Sequence, residues 1–361
     1  MMAANNAHAQ NPYFWIYLCF GQSNMAGQAP IEPQDTVVPD NFLSLSAVNG
    51  TDGREIGKWR KAVPPICRQD SHLSPLDYFG RAMVENLPKR AKVGVVSVAV
   101  EGCPIDFFDK DMCRAAIDSV KRDWMNNILD QYDRNPWQRL VDMAHIAKRD
   151  GVIKGILLHQ GETDAYNPQW CKKVRKIYYD LINELQLDST QVPLIVGEVV
   201  SEKYGGICAG ANKTINTIHD YVQYAQIVSS DGCQPSSDKL HFSSEGYRVL
   251  GRRYALKTLQ GQGFEVTNNE HYETETYADQ ANRPTVEVRC QINDRNGAFT
   301  AKSNEPLKRM EVVSYSGKTI KDMELFGAKE VNLDLNTLPQ ERLVFVFYAE
   351  NGAESSIQIE N

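Results

Sequence analysis

No apolar run in the 361-residue chain approaches the roughly 20 residues that a membrane-spanning helix requires, so no span is expected. Basic residues are in deficit: 39 Lys and Arg against 46 Asp and Glu leave a net charge of −7. Such a chain lacks the positive face that nucleic acid or an anionic membrane surface requires, and neither is expected as a partner. The eight cysteines, at positions 19, 67, 103, 113, 171, 208, 233 and 290, include no Cys-x-x-Cys pair. Zinc-site and thioredoxin-type chemistry therefore lose their basis, and no metal or other cofactor is expected. Internal repeats and low-complexity tracts are missing as well, which excludes solenoids and sequence-biased linkers. The first residues lack the basic and apolar regions of an intact export signal. Ala7-His8-Ala9-Gln10 nevertheless matches the small-residue end of a cleaved one, so the chain is expected to be exported with its signal removed.

What the chain does contain is a set of short β-branched apolar runs: Phe14–Phe20, Val93–Val100, Val152–Leu158, Leu194–Val200 and Ala225–Ser229. Between them lies a segment from Pro168 to Leu187 whose apolar residues Trp170, Val174, Ile177, Tyr178, Leu181, Ile182 and Leu185 recur at helical steps. Pro136–Arg149 and Ser243–Leu259 also read as helices. Strands alternating with helices imply crossover units, hence an α/β domain over residues 13–262 with a parallel sheet covered on both faces. The near-continuous apolar character of the runs fits burial on both sides. Residues 263–284 are polar and aperiodic and read as a connection. From 285 to 361, short alternating segments separated by Asn296-Gly297, Ser316-Gly317 and Asn351-Gly352 predict a small all-β sandwich domain.

In an open α/β sheet, ligands bind beyond the carboxyl ends of the strands. After the first run stand Gly21-Gln22-Ser23-Asn24, after the second Glu101-Gly102-Cys103-Pro104, and after the third His159-Gln160-Gly161-Glu162-Thr163-Asp164. The fifth is followed by a segment ending Asp238-Lys239-Leu240-His241. A serine, amides, glycines and an Asp/His pair from one edge form the inventory of acyl transfer. A serine hydroxyl attacks only when an imidazole takes its proton, and that imidazole needs an acceptor on its other nitrogen. His241 and Asp238 can supply both from one loop. The oxyanion needs donors, for which Ser23 N–H, Gly102 N–H and a side-chain amide are candidates. Gln160, facing the serine from another strand, is preferred to Asn24, which adjoins the serine and braces its turn. Met25 stands where the Gly-x-Ser-x-Gly elbow of α/β-hydrolases needs glycine, so that architecture is not expected. His159 reads as a structural hydrogen-bonder. Glu162 and Asp164 read as loop holders that orient Gln160 rather than as a glycosidase carboxylate pair. Trp59, Trp124 and Trp137 are candidates for stacking on sugar rings, with Trp59 favoured because it lies in the polar insert after Ser23.

The blocks GQSNM, the Gly102 turn, HQGETDA and DKLHFSSEGYRVLGRRYA resemble the SGNH hydrolase superfamily. Within it they are most similar to carbohydrate esterase family 6 acetyl xylan esterases and sialate O-acetylesterase-like proteins, over residues 13–262. The resemblance implies a flavodoxin-like three-layer α/β/α domain and a metal-independent serine esterase. By position, Ser23 would be nucleophile, His241 base and Asp238 its partner. Ser23, Gly102 and Gln160 would form the oxyanion hole, with Gln22, Asn24 and Glu162 in support. Gln160 stands where the superfamily's third block usually has asparagine, and Glu101 precedes Gly102 where a second glycine is usual. The expected substrate is an acetylated carbohydrate, first acetylated xylan or its oligosaccharides, second an O-acetylated sialic acid. A non-catalytic carbohydrate-binding protein is the reading from a different class. The C-terminal segment resembles the β-sandwich sorting domains that end many exported proteins.

Overall fold

The computed structural model describes residues 10–264, 266, 286–293, 296–314 and 319–361. Most of the expected connection, the Ser316-Gly317 turn and the Ala7–Ala9 signal remnant lie outside the described residues. The chain divides into two compact units. Among the described residues no helix is long and apolar enough to cross a membrane.

The first unit is built on a seven-stranded sheet of β1 (Asn11–Gly21), β2 (Phe42–Leu45), β3 (Trp59–Lys61), β4 (Lys92–Ala99), β5 (Gly151–His159), β6 (Leu194–Gly197) and β7 (Gln226–Val228). Their order is β3-β2-β4-β1-β5-β6-β7. Every neighbouring pair is parallel except β2 with β3. The five apolar runs became β1, β4, β5, β6 and β7. β2 and β3 arose inside the polar insert, where segments of four and three residues are too short to show a period.

The helices are α1 (Ser23–Ala26), α2 (Pro75–Asn86), α3 (Cys113–Asp118), α4 (Asp123–Gln131), α5 (Pro136–Asp150), α6 (Trp170–Glu184), α7 (Ala211–Ile215) and α8 (Ser244–Gly261). Alternation along β1 sorts them into two layers. Ile16, Leu18 and Phe20 join one core with residues of α3 to α6, including Leu140, Val174 and Leu181. Tyr17 points the other way, its ring edge-on to Phe79 of α2 at 4.9 Å. This is the expected α/β/α architecture. Local signals agree with it: the Asn135 side chain accepts from Gln138 N–H to cap α5, Pro136 occupies its first turn, and Lys148 and Arg149 its last.

The strand order sets the site. From β1 the chain first builds the β4 side of the sheet and then crosses to β5 on the other side, so a crevice opens where the direction reverses. Gly21 is in register with both Ala99 and His159, which brings the ends of three strands level. The close approach requires glycine: at φ 152°, a Cβ on Gly21 would lie 2.1 Å from the His159 carbonyl oxygen.

The second unit comprises β8 (Val288–Asn293), β9 (Ala298–Ser314), β10 (Thr319–Asp334), β11 (Arg342–Ala349) and β12 (Glu354–Glu360), all pairing antiparallel. The ladder between β9 and β10 is interrupted near Pro306, which has no N–H to give. The buried positions of β9 shift from Phe299 and Ala301 before that point to Met310 and Val312 after it. Both arms thereby share one core with Leu343, Phe345 and Phe347 of β11.

Gly21→Ala is expected to cost about 2–4 kcal/mol of stability, because the obstruction is backbone and not a flexible side chain. Thermal unfolding of the variant beside Gly80→Ala, whose obstruction is the Phe42 ring, checks this.

Candidate active site

β1 ends in a sharp turn. Gln22 N–H donates to the His159 carbonyl at 3.1 Å, and the Gln22 carbonyl accepts from Met25 and Ala26 N–H, starting the single turn of α1. Ser23 therefore sits at the first helical position, nearly buried, with its hydroxyl 2.9 Å from His241 Nε2. The other ring nitrogen of His241, Nδ1, lies 2.7 Å from Asp238 Oδ2. Serine, histidine and aspartate thus form one continuous relay.

The loop carrying the last two is itself held by the aspartate. Asp238 Oδ1 accepts from Ser236 Oγ at 2.5 Å and from the N–H groups of Leu240 and His241 at 2.9 Å each. Lys239 takes the left-handed conformation (φ 58°) that lets the chain curl around the carboxylate. Burial alone would raise the Asp238 carboxyl. The His241 N–H, the Ser236 hydroxyl, the Leu240 N–H and the imidazole outweigh it and hold the group well below the usual range. Asp238 stays ionised and keeps the proton of Nδ1 in place, leaving Nε2 to accept from Ser23.

Asn24 sets the distance between serine and histidine. Its Nδ2 donates to the Leu240 carbonyl at 3.1 Å, and its Oδ1 accepts from Phe242 N–H at 3.4 Å, so it grips the backbone on both sides of His241. The remaining Nδ2 hydrogen goes to Glu162 Oε1 at 2.5 Å, and Oδ1 also accepts from the Tyr247 hydroxyl at 2.6 Å. The amide is fully buried. Burial raises the Glu162 carboxyl, and the Asn24 hydrogen bond opposes that rise.

The oxyanion side departs from expectation at one residue. The N–H groups of Ser23 and Gly102 have no protein acceptor among the described residues, and Gly102 holds the left-handed backbone (φ 65°). Gln160, however, lies fully buried with its amide spent inside the protein. Its Nε2 faces Asp164 Oδ2 at 2.6 Å, Cys103 O at 3.2 Å and Gln22 Oε1 at 3.2 Å, while its Oε1 accepts from Trp170 Nε1 at 2.5 Å. Two hydrogens already facing three acceptors leave none for a substrate. Gln22 is the amide with a donor to spare: Oε1 accepts from Gln160 and from Thr163 N–H, and Nε2 has no acceptor among the described residues. Gln160 is thus a platform under Gln22. Asp164 holds it, as expected, whereas Glu162 holds Asn24 instead.

Glu101, the departure beside Gly102, has a partner. The buried Arg68 guanidinium donates to it at 2.5 Å and to the Ala99 carbonyl at 2.7 Å, locking the end of β4. His159 is a buried structural group: Nδ1 lies 3.1 Å from the Tyr254 hydroxyl, and burial pushes the imidazole down to about 3. Trp59, favoured from the sequence, packs at a tilt against Phe14, ring centroids 4.6 Å apart, and donates to Asp150, near the opposite ends of the strands. Trp137 is core. Trp124 is the exposed one, 46% accessible, with its ring edge against Gly102.

Among the described residues, one carboxylate group is close enough to hold a metal: Asp109, Asp111 and Asp180. Lys176 Nζ reaches all three at 2.7–2.8 Å, so an ammonium already fills that role. In the second unit, a solvent-open hollow of about 370 Å³ is lined by Glu287, Arg289, Thr300, Lys302 and others, without a serine–histidine pair.

A family profile described as carbohydrate esterase, sialic acid-specific acetylesterase matches residues 13–260. Among solved structures, a protein from Arabidopsis thaliana is similar at 21% identity and a TM-score of 0.53, over 68% of this chain and 98% of that one, which shows a shared fold. A carbohydrate acetylesterase from Xanthomonas citri matches at 16% identity (TM-score 0.47; 95% of this chain, 78% of that one). NanS matches at 15% identity (TM-score 0.48; 70% and 98%).

Asn24→Ala strands Glu162, the Leu240 carbonyl and Phe242 N–H. It is expected to destabilise the protein by about 2–4 kcal/mol and to lower kcat on p-nitrophenyl acetate at least tenfold; urea melts and steady-state kinetics check this. His159 supplies a pH signature. The unfolded imidazole binds a proton near pH ~6.5 and the folded one only near 3, so stability is full above ~6.5 and falls as pH drops toward 3. Glu162, raised in the fold, acts in the opposite sense. The difference between wild type and His159→Gln isolates the histidine: the variant's Tm should decline less steeply from pH 6.5 to 4.

Proposed function

The chain belongs to the carbohydrate esterase, sialic acid-specific acetylesterase family, and we propose that it removes O-acetyl groups from sugars by a serine acyl-enzyme mechanism. The observation that carries this reading is the unbroken relay from Ser23 Oγ through His241 to Asp238, at 2.9 and 2.7 Å.

In this reading His241 Nε2 takes the Ser23 proton as Oγ bonds to the acetyl carbonyl carbon. The carbonyl π electrons move to oxygen, and the oxyanion rests on the N–H groups of Ser23 and Gly102 and on Gln22 Nε2. Gln160 holds Gln22 at its post. As the tetrahedral intermediate collapses, the sugar oxygen leaves with the proton from His241. Water then gives a proton to the same nitrogen and attacks the acetyl-serine; collapse returns the proton to Ser23 and releases acetate. No step calls on a metal, so a chelator should leave turnover unchanged.

The family description favours an O-acetylated sialic acid over acetylated xylan, the substrate expected first from the sequence. Xylan remains the second reading through the resemblance to carbohydrate esterase family 6. A purely sugar-binding role would have no use for so complete a relay.

Acetate release from 9-O-acetylated sialic acid and from acetylated xylo-oligosaccharides tests the choice, with the first expected to be turned over faster. Ser23→Ala should lower kcat by about 10³-fold or more. Turnover equal to wild type in that variant would end the serine mechanism. Gln22→Ala should lower kcat by about 10²-fold with little change in KM; an unaltered kcat would remove Gln22 from the hole.

A further inference from the structure

Glu101 stands where a second glycine is usual, and its surroundings give it a task. Val100-Glu101-Gly102-Cys103 is a turn closed by Cys103 N–H, which donates to the Val100 carbonyl at 3.3 Å. Both ends of the turn are pinned by backbone groups. Val100 N–H donates to the Gly21 carbonyl at 3.1 Å, and the Cys103 carbonyl accepts from Gln160 Nε2 at 3.2 Å. The middle is different. Among the described residues, neither the Glu101 carbonyl nor Gly102 N–H has a hydrogen-bond partner. These two groups form a single peptide unit, the one that carries an N–H assigned to the oxyanion. Gly102 itself, at φ 65°, has the widest backbone freedom of any residue type and cannot fix that N–H by its own preferences.

What ties the middle down is the Glu101 side chain. Its Oε1 accepts from Arg68 Nη2 at 2.5 Å and lies 3.4 Å from Gln28 Nε2. Arg68 is fully buried and cannot drift: it donates to the Ala99 carbonyl at 2.7 Å, to Asp70 at 3.1 Å and to the Tyr132 hydroxyl at 3.4 Å. One guanidinium thus grips the last residue of β4 and the carboxylate two residues beyond it. The pairing also offsets a negative charge that, left free one residue from the donor, would oppose the oxyanion. An oxyanion donor stabilises the transition state only when it is held in place before the charge develops. We propose that Arg68 and Glu101 are positioning residues for the oxyanion hole, an ion pair that holds the Gly102 N–H where the acetyl oxygen arrives. The inference rests on the serine acyl-enzyme reading above and deepens it.

The test pairs p-nitrophenyl acetate kinetics with inhibition by phenylboronic acid. Ser23 Oγ gives an electron pair to boron as its proton passes to His241, and an oxygen of the tetrahedral boronate occupies the hole. Glu101→Ala should lower kcat about tenfold with KM nearly unchanged, less than the roughly 10²-fold loss of a whole donor. Affinity for phenylboronic acid should fall by the same factor. Glu101→Gln keeps an acceptor for Arg68 and should restore most of both. Thermal melts fix a temperature at which every variant is folded, and Glu101→Gly, which installs the usual residue, should repeat the alanine result. Wild-type kcat in folded Glu101→Ala overturns the proposal. So does a loss of kcat that phenylboronic acid affinity does not follow, since Glu101 would then act outside the hole. A glutamine variant as impaired as the alanine one overturns it as well, because charge and not a held position would be at work. A wild type that phenylboronic acid leaves uninhibited, with Ser23→Ala equally active, would defeat the serine mechanism itself, an outcome distinct from these.

Discussion

The geometry of the site depends on one side-chain amide. Asn24 binds the backbone on both sides of His241 while being covalently next but one to Gln22 and next to Ser23. A hydroxyl and an imidazole more than 200 residues apart in sequence are thereby held as though they shared a single loop. The amide can do this because each of its hydrogens and its oxygen is spoken for in a place that water does not reach. Glu162 and Tyr247, which bond to the Asn24 amide, complete that set.

Two histidine–carboxylate neighbours occur within a few residues of one another in space, and the environment assigns them opposite tasks. Asp238 is half exposed and surrounded by donors, so it remains an anion beside an imidazole that can accept and return a proton. His159 and Glu162 lie 3.8 Å apart in the interior, where desolvation pushes each toward its neutral form. The first pair is suited to moving protons; the second suits a rigid wall. Residue type alone does not separate them, and burial does.

Much of this was readable in the sequence because it follows from short-range chemistry. Apolar runs long enough to be buried on both faces marked β1, β4, β5, β6 and β7, and the residues after them marked Ser23, Gly102, Asp238 and His241. What escaped has a common physical character. β2 and β3 are held in the sheet by their neighbours and not by their own pattern. Gln160 carries the right functional group, but its hydrogens are taken by Asp164, Cys103 and Gln22, contacts that only the folded chain creates. Trp59 and Trp124 both sit in polar surroundings in sequence; which of them faces the crevice depends on the ends of the strands to which they pack. Gln22 could have been suspected, since it shares a turn with Ser23, but a free donor is visible only once every other amide has been accounted for.

The relay draws its nucleophile from the first strand and its base from the loop after the last strand of the same sheet. During synthesis, a chain that has already emerged through β5 would own Ser23, Gly102 and both glutamines, yet nothing to take the serine's proton. Hydrolytic competence would appear in one step, when Ser236–Phe242 closes over Asn24. Partly made or partly unfolded copies would be chemically silent.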